Sequence, residues 1–248
     1  MKKRNFNTLV LHRIVKDNVV DFEDITEEIL SKIIHKERDS FLTIEEAFSE
    51  KKSSLKSICL TFDDGYKSDI EIVLPRLIDY QVSATFFVVK DFLNKDGYMN
   101  ERDVIELSRN GMQIGSHSVS HPNFLEIGDS MKIDELSSSR KYLEDLISKE
   151  ISTFSFPFGF INKSSIDMVF DSGYKYCCIS QHGLANSGSR IIPRNSINGS
   201  QKLSTIFNHM EPSVLTRAYW FFEDQIKTKL KRISPEHYTR LRNYVFKK

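Results

Sequence analysis

The sequence predicts an α/β fold built on a mostly parallel sheet, open or closed into a barrel. Three observations carry that expectation. Short β-branched or aromatic runs alternate with amphipathic helical stretches, the pattern of parallel strands joined by crossover helices. Four polar clusters each follow directly on one of those runs, and the carboxyl ends of parallel strands converge on one face. The chain has 248 residues, 40% of them apolar, enough for the core of a single barrel without a second domain.

The elements follow in order. Strands are expected at Thr8–Leu11, Ser57–Phe62, Ser83–Val89, Met112–Ser116, Thr153–Phe156 and Tyr174–Ile179, with a weaker one at Ile191–Ile192. Helices are expected at Phe22–His35, after the capping box Thr43-x-x-Glu46, and over Ile70–Tyr80, where Pro75 should kink or restart the turn. Further helices fit Glu101–Asn110, stopped by Gly111, then Met131–Lys149, then Ser164–Ser172, stopped by Gly173. No internal repeat or linker interrupts this pattern. A barrel domain over 1–211 and a C-terminal helical extension over 212–248, packed on or near it, is the expected organisation.

A net charge of +1 with no long basic block before residue 200 makes nucleic acid a poor partner. After the basic Met1-Lys2-Lys3-Arg4, the apolar run Leu9-Val10-Leu11 is too short for a signal-peptide core or a membrane span. Cys59, Cys177 and Cys178 read as free thiols in a reducing compartment, so cytoplasm is the expected location. In the extension, Tyr219-Trp220-Phe221-Phe222 precedes Lys227, Lys229, Lys231 and Arg232, then Arg240, Arg242, Lys247 and Lys248. Aromatic beside basic residues can mark a helix on an anionic membrane, and peripheral membrane contact is one expectation. The preferred one is an aromatic face that caps the barrel, with a solvated basic face opposite.

The polar clusters are His12; Asp63-Asp64-Gly65; His117-Ser118-Val119-Ser120-His121-Pro122; and Pro157-Phe158-Gly159. Two histidines and a carboxylate suit zinc or a similar divalent ion with a position left for water. Adjacent carboxylates on extended backbone point apart, so one can ligate while the other takes a proton. Taken singly, each cluster also reads as an ordinary turn. Their combination and order are more specific.

Thr61-Phe62-Asp63-Asp64-Gly65, His117-Ser118-x-x-His121-Pro122 and Phe156-Pro157-Phe158-Gly159 resemble the first three motifs of the polysaccharide deacetylases, the NodB-homology family or carbohydrate esterase family 4. Ser83-Ala84-Thr85-Phe86-Phe87 is similar to that family's second strand, and the likeness spans roughly residues 7–200. The resemblance implies a distorted (β/α) barrel of about seven strands. It also implies hydrolysis of an N-acetyl group from an amino sugar in a polysaccharide or surface-glycan precursor. Asp63 then matches the base, and Asp64, His117 and His121 match the ligands of one divalent ion, with Zn2+ first and Co2+, Ni2+ or Mn2+ as alternatives. The backbone N–H of Phe158 matches the oxyanion donor.

The family's late Leu-x-His acid has no clear copy. A subgroup acting on bacterial surface glycans carries it early, which assigns the general acid to His12 ahead of its rival His209. Ser155 stands where the third motif usually has arginine, and Arg194 is the candidate to orient Asp63 instead. An inactive sugar-binding barrel, or a hydrolase of O-acetyl esters or non-sugar amides, stays open as an alternative. His182, in a Gly-rich loop, has no assigned role.

Overall fold

The computed structural model describes residues 4–49, 56–159 and 161–233. Its strands are β1 (Asn5–Leu11), β2 (Ile14–Val15), β3 (Ile25–Thr26), β4 (Phe41–Leu42), β5 (Ile58–Phe62), β6 (Thr85–Val88), β7 (Gln113–Ser116), β8 (Thr153–Ser155), β9 (Tyr176–Ile179), β10 (Leu184–Asn186), β11 (Ile191–Pro193) and β12 (Asn195–Ser196). The helices are α1 (Glu27–Lys36), α2 (Ile44–Phe48), α3 (Leu74–Tyr80), α4 (Glu101–Arg109), α5 (Asp129–Ile147), α6 (Lys163–Asp171), α7 (Leu203–Met210) and α8 (Val214–Ile233).

The main sheet runs β10-β1-β5-β6-β7-β8-β9-β11. All neighbours in it are parallel except β10, which lies antiparallel on β1 with Phe6 opposite Ala185. β11 pairs with β9, while β12 pairs with β1, placing Leu9 opposite Asn195. Only Arg194 separates β11 from β12, so one stretch of chain stitches the two edges together. The result is a distorted barrel of seven parallel strands with helices around it.

The sequence explains these elements locally. β5 reads Ile-Cys-Leu-Thr-Phe and is buried along its whole length, as expected of a parallel strand covered on both faces. The Thr43/Glu46 capping box opens α2, and a second one, Asn100/Asp103, opens α4. Around Pro75 the chain restarts: a π-helical turn over Asp69–Val73 gives way to α3, whose first turn holds the proline where its missing N–H costs nothing. Two large apolar clusters fill the space inside and outside the sheet, with Leu9, Leu11, Leu60, Phe62 and Phe86 in the larger.

Some expectations needed correction. The helix expected from Phe22 starts only at Glu27. Asp24 is held by Arg13 and by the N–H groups of Val20 and Asp21, and the Thr26 hydroxyl then caps the first turn. The antiparallel β10 was not anticipated, because its three residues lie in a polar, Gly- and Ser-bearing stretch without strand periodicity. The aromatic run of the extension does not cap the barrel as a face: Trp220 is buried, but Tyr219, Phe221 and Phe222 are exposed. The basic residues Arg240, Arg242, Lys247 and Lys248 lie outside the described residues. Cys59, Cys177 and Cys178 are buried free thiols. Among the described residues no helix is long and apolar enough to cross a membrane.

Candidate active site

Asp64, His117 and His121 meet at the carboxyl end of the barrel. β5 ends at Phe62 and β7 at Ser116, so Asp63, Asp64 and His117 leave the sheet side by side. His121 follows on a loop whose geometry is unusual. Asp64 (φ 76°), Ser118 (φ 75°), His121 (φ 60°) and Phe158 (φ 57°) all have left-handed backbone, four of the seven such non-glycine residues described. Strain of this kind persists where the surroundings over-determine it, and its concentration here marks the site.

The His117 and His121 Nε2 atoms stand 3.2 Å apart, and Asp64 Oδ1 lies 3.5 and 3.3 Å from them. That oxygen is buried and makes no regular hydrogen bond. Ligand atoms about 2.0–2.2 Å from a tetrahedral ion stand roughly 3.3–3.6 Å apart, so the three atoms fit a divalent cation without rearrangement. His117 donates its Nδ1 proton to the Ser155 carbonyl at 2.7 Å, which leaves the Nε2 lone pair facing the other two groups. Burial lowers His117 to about 4 against the pull of Asp63 and Asp64, keeping the ring neutral and able to ligate. Burial opposes the charge of Asp64, yet His121, His12 and His117 around it hold its carboxyl far below the usual range.

Asp63 sits on the other side of the same turn, 3.7 Å from His117 Nε2 through Oδ2. Arg194 grips it in a bidentate pair, Nη1 to Oδ1 and Nη2 to Oδ2, both at 2.7 Å. The guanidinium also donates to Thr61 Oγ1 at 3.3 Å and Ser155 Oγ at 2.7 Å. Both partners are buried. Burial by itself would raise the Asp63 carboxyl, but the Arg194 charge and His117 bring it below its ordinary value. Ser155 therefore does not replace the missing motif arginine alone. It supplies the small side chain and the oxygen against which an arginine from the barrel seam can lie.

His12 follows β1 immediately, and Asp63 N–H donates to the Leu11 carbonyl at 3.0 Å, which sets the two residues beside one another. The buried Nδ1 of His12 makes no hydrogen bond among the described residues. Phe158 is exposed and packs its ring edge-on to His121 at 4.5 Å. Gly159 is required after it: φ is 65°, and a Cβ there would stand 2.4 Å from the Ser180 Cβ. His209 is not part of this cluster by its described contacts. Its Nδ1 lies 3.2 Å from the Ser196 carbonyl, and its ring packs against Trp220.

Two residues escaped the sequence reading. Glu135 of α5 accepts from Val119 N, Ser120 N and Ser120 Oγ at 2.7, 2.9 and 2.6 Å, clamping the loop that joins the two histidines. Its signal was weak, since an acidic residue in a helix normally reads as solvated face. Asp69 is fully buried beneath the pair, and burial, then the charges of Asp64 and Asp63, raise its carboxyl well above the usual range.

The polysaccharide deacetylase family model matches residues 50–177. YxkH of Bacillus subtilis (strain 168), a polysaccharide deacetylase by name, is 25% identical over 182 residues, covering 72% of this chain and 65% of the relative. The poly-β-1,6-N-acetyl-D-glucosamine N-deacetylase of Staphylococcus aureus (strain MRSA252) is 24% identical over 153 residues, covering 55% of this chain and 53% of the relative. The chain thus spans less than two thirds of the length of either. The deacetylase PplD of Streptococcus pyogenes, solved with acetate, superposes with a TM-score of 0.76 at 20% identity, covering 85% of this chain and 100% of that one. IcaB from Ammonifex degensii does so at 0.73 and 16%, covering 84% and 97%. These structures share the fold. With the family model spanning more than half of its residues, the chain belongs to the polysaccharide deacetylase family.

Proposed function

We propose that the protein is a metal-dependent hydrolase that removes N-acetyl groups from an amino sugar of a polysaccharide or surface-glycan precursor. The observation that carries this reading is the convergence of a three-atom ligand set, Asp64, His117 and His121, with a separate buried carboxylate, Asp63, that is kept charged by Arg194. The names of the relatives, one an N-acetylglucosamine polymer deacetylase, support the substrate class.

Each residue then has one task. A divalent ion held by Asp64, His117 and His121, Zn2+ in the first instance, would polarise the acetyl carbonyl and make water acidic enough to lose a proton near neutrality. Asp63 accepts that proton, and Arg194 keeps its carboxylate ionised and fixed in plane. The Phe158 backbone N–H donates to the oxygen that gains charge as water adds to the carbonyl carbon. His12, which follows β1 beside Asp63, gives a proton to the departing sugar nitrogen. Water and the amide become acetate and a free amine.

The test is an acetate-release screen over N-acetylhexosamine monomers, oligomers and O-acetylated sugars, repeated with Zn2+, Co2+, Ni2+ and Mn2+. Release from N-acetylated sugars, abolished by a chelator and restored by metal, is the expected result. Asp64→Ala, His117→Ala and His121→Ala should each lose stoichiometric metal while staying folded. Full metal occupancy in all three would place the ion elsewhere, and release only from O-acetylated sugars would change the reaction.

A further inference from the structure

Helix α8 is fastened to the barrel along one line. Trp220 stacks on His182 with the rings 5.3 Å apart and 19° from parallel, and its edge meets His209 at 5.3 Å. One turn on, Asp224 accepts from His182 N at 2.7 Å and from its Nδ1 at 3.0 Å. His182 thereby gains a role: it is the socket for α8.

Among the described residues the opposite side of the helix is apolar and exposed. Leu215, Tyr219, Phe222 and Ile226 recur at intervals of four, three and four residues and are 82%, 66%, 67% and 61% exposed, against 2% for Trp220. At about 100° per residue these four share a strip roughly 60° wide, and Trp220 and Asp224 lie about 150° from its centre. Phe221 and Val214, also exposed, lie together well to one side of the strip. A helix docked by one face normally turns its polar side to water. This one turns two aromatic and two aliphatic side chains outward in a row.

The charge of the chain is divided at the same helix. Residues 227–248 hold eight Lys and Arg against a single Glu, a net +7, so in a chain of net +1 the rest carries −6. Pairing two copies through this strip would bring two such basic segments together at a cost. An anionic bilayer surface accepts both features, taking apolar side chains among its acyl chains and basic ones at its phosphates.

We propose that α8 is a peripheral membrane anchor. Its Leu215-Tyr219-Phe222-Ile226 strip inserts into the interface of an anionic phospholipid surface, the net charge of +7 in the sequence from residue 227 on adds electrostatic attraction, and Trp220 and Asp224 hold the barrel to it. The anchor is independent of the catalytic reading, because no residue of the strip belongs to the site.

The experiment is vesicle co-sedimentation of the full chain, with phosphatidylcholine alone and with added phosphatidylglycerol. The expected result is binding only with phosphatidylglycerol, weakening as salt rises. A Leu215→Ser/Phe222→Ser variant should lose at least about tenfold in partitioning at unchanged helicity and unchanged turnover of a soluble substrate. A Lys227→Gln/Lys229→Gln/Lys231→Gln variant should lose mainly the salt-sensitive part. Absence of binding at low salt would overturn the proposal, as would equal binding by the Leu215/Phe222 variant. So would a dimer of the full chain that the same variant dissociates and vesicles do not compete for.

Discussion

Replacing Arg194 with Met removes the charge and all four described hydrogen bonds of the guanidinium head while roughly keeping the stem volume. Two of those bonds go to Asp63 at 2.7 Å, in a pair from which solvent is excluded. Breaking a buried ion pair by removing one partner costs about 3–5 kcal/mol, because the other charge is left without compensation. For a chain of this size that is a fall in Tm of about 6–20 °C. The carboxylate escapes part of this cost by taking up a proton, which disables it as a base. The sign follows from the wild type, where Arg194 holds the Asp63 carboxyl below its ordinary value. Without it, burial prevails, the folded-state value rises, and the acidic limb of the kcat/KM profile moves to higher pH. The stability that Asp63 contributes is present above its unfolded value and is lost as pH falls through the lower folded one. The stability gap between wild type and variant should accordingly narrow in acid. Turnover at neutral pH should fall at least about tenfold, with metal affinity nearly unchanged because Arg194 touches none of the three ligand atoms. Arg194→Lys, which restores charge without the fork, should recover only part. A pH–rate profile, calorimetric metal titration and thermal melts read all of this. An Arg194→Met enzyme with an unmoved acidic limb and turnover within about twofold of wild type would refute the reasoning.

Three further outcomes are expected. Asp63→Asn should keep stoichiometric metal but lose nearly all turnover, and a variant that retains both would dismiss Asp63 as the base. His12→Ala should lower kcat by about 10²–10⁴-fold with metal bound as before, whereas His209→Ala should leave kcat nearly intact, and the reverse ranking would move the acid to α7. Glu135→Ala should free the loop carrying His121 and weaken metal binding by on the order of tenfold or more, measured by competition with a chelating dye. Unchanged affinity there would mean the loop holds its shape without the clamp.

Much of the barrel was legible because its strands are buried on both faces and therefore read as short apolar runs between helices. The runs ending at Leu11, Phe62, Ser116 and Phe156 mark where side chains leave the sheet together. The Asp63–Arg194 contact joins residues 131 positions apart. It was approachable because a buried carboxylate needs a counter-charge, and Ile191–Ile192 offered a strand to carry one. Glu135 was not legible, since nothing in an amphipathic helix distinguishes an acid that clamps a loop from one in water. The aromatic run of α8 was misread for a geometric reason. Four consecutive residues reach most of the way round a helix, so composition cannot tell which one faces inward. Only the meeting of Trp220 with His182 and His209, distant in sequence, decides it.

The position of Arg194 ties chemistry to assembly. It occupies the single residue between β11 and β12, where the two edges of the sheet are sewn together. During folding, the strands from β1 to β9 can associate and bring Asp63, Asp64 and His117 near one another before the seam arrives. Until it does, Asp63 lacks both the fork that fixes its plane and the charge that offsets its burial. Docking of the last strands is thus the step that pairs Asp63 with its guanidinium. A chain damaged at the seam would keep its ligands and much of its sheet yet behave as an uncocked enzyme. Closure of the barrel and the pairing of Asp63 are one event, reported by one guanidinium.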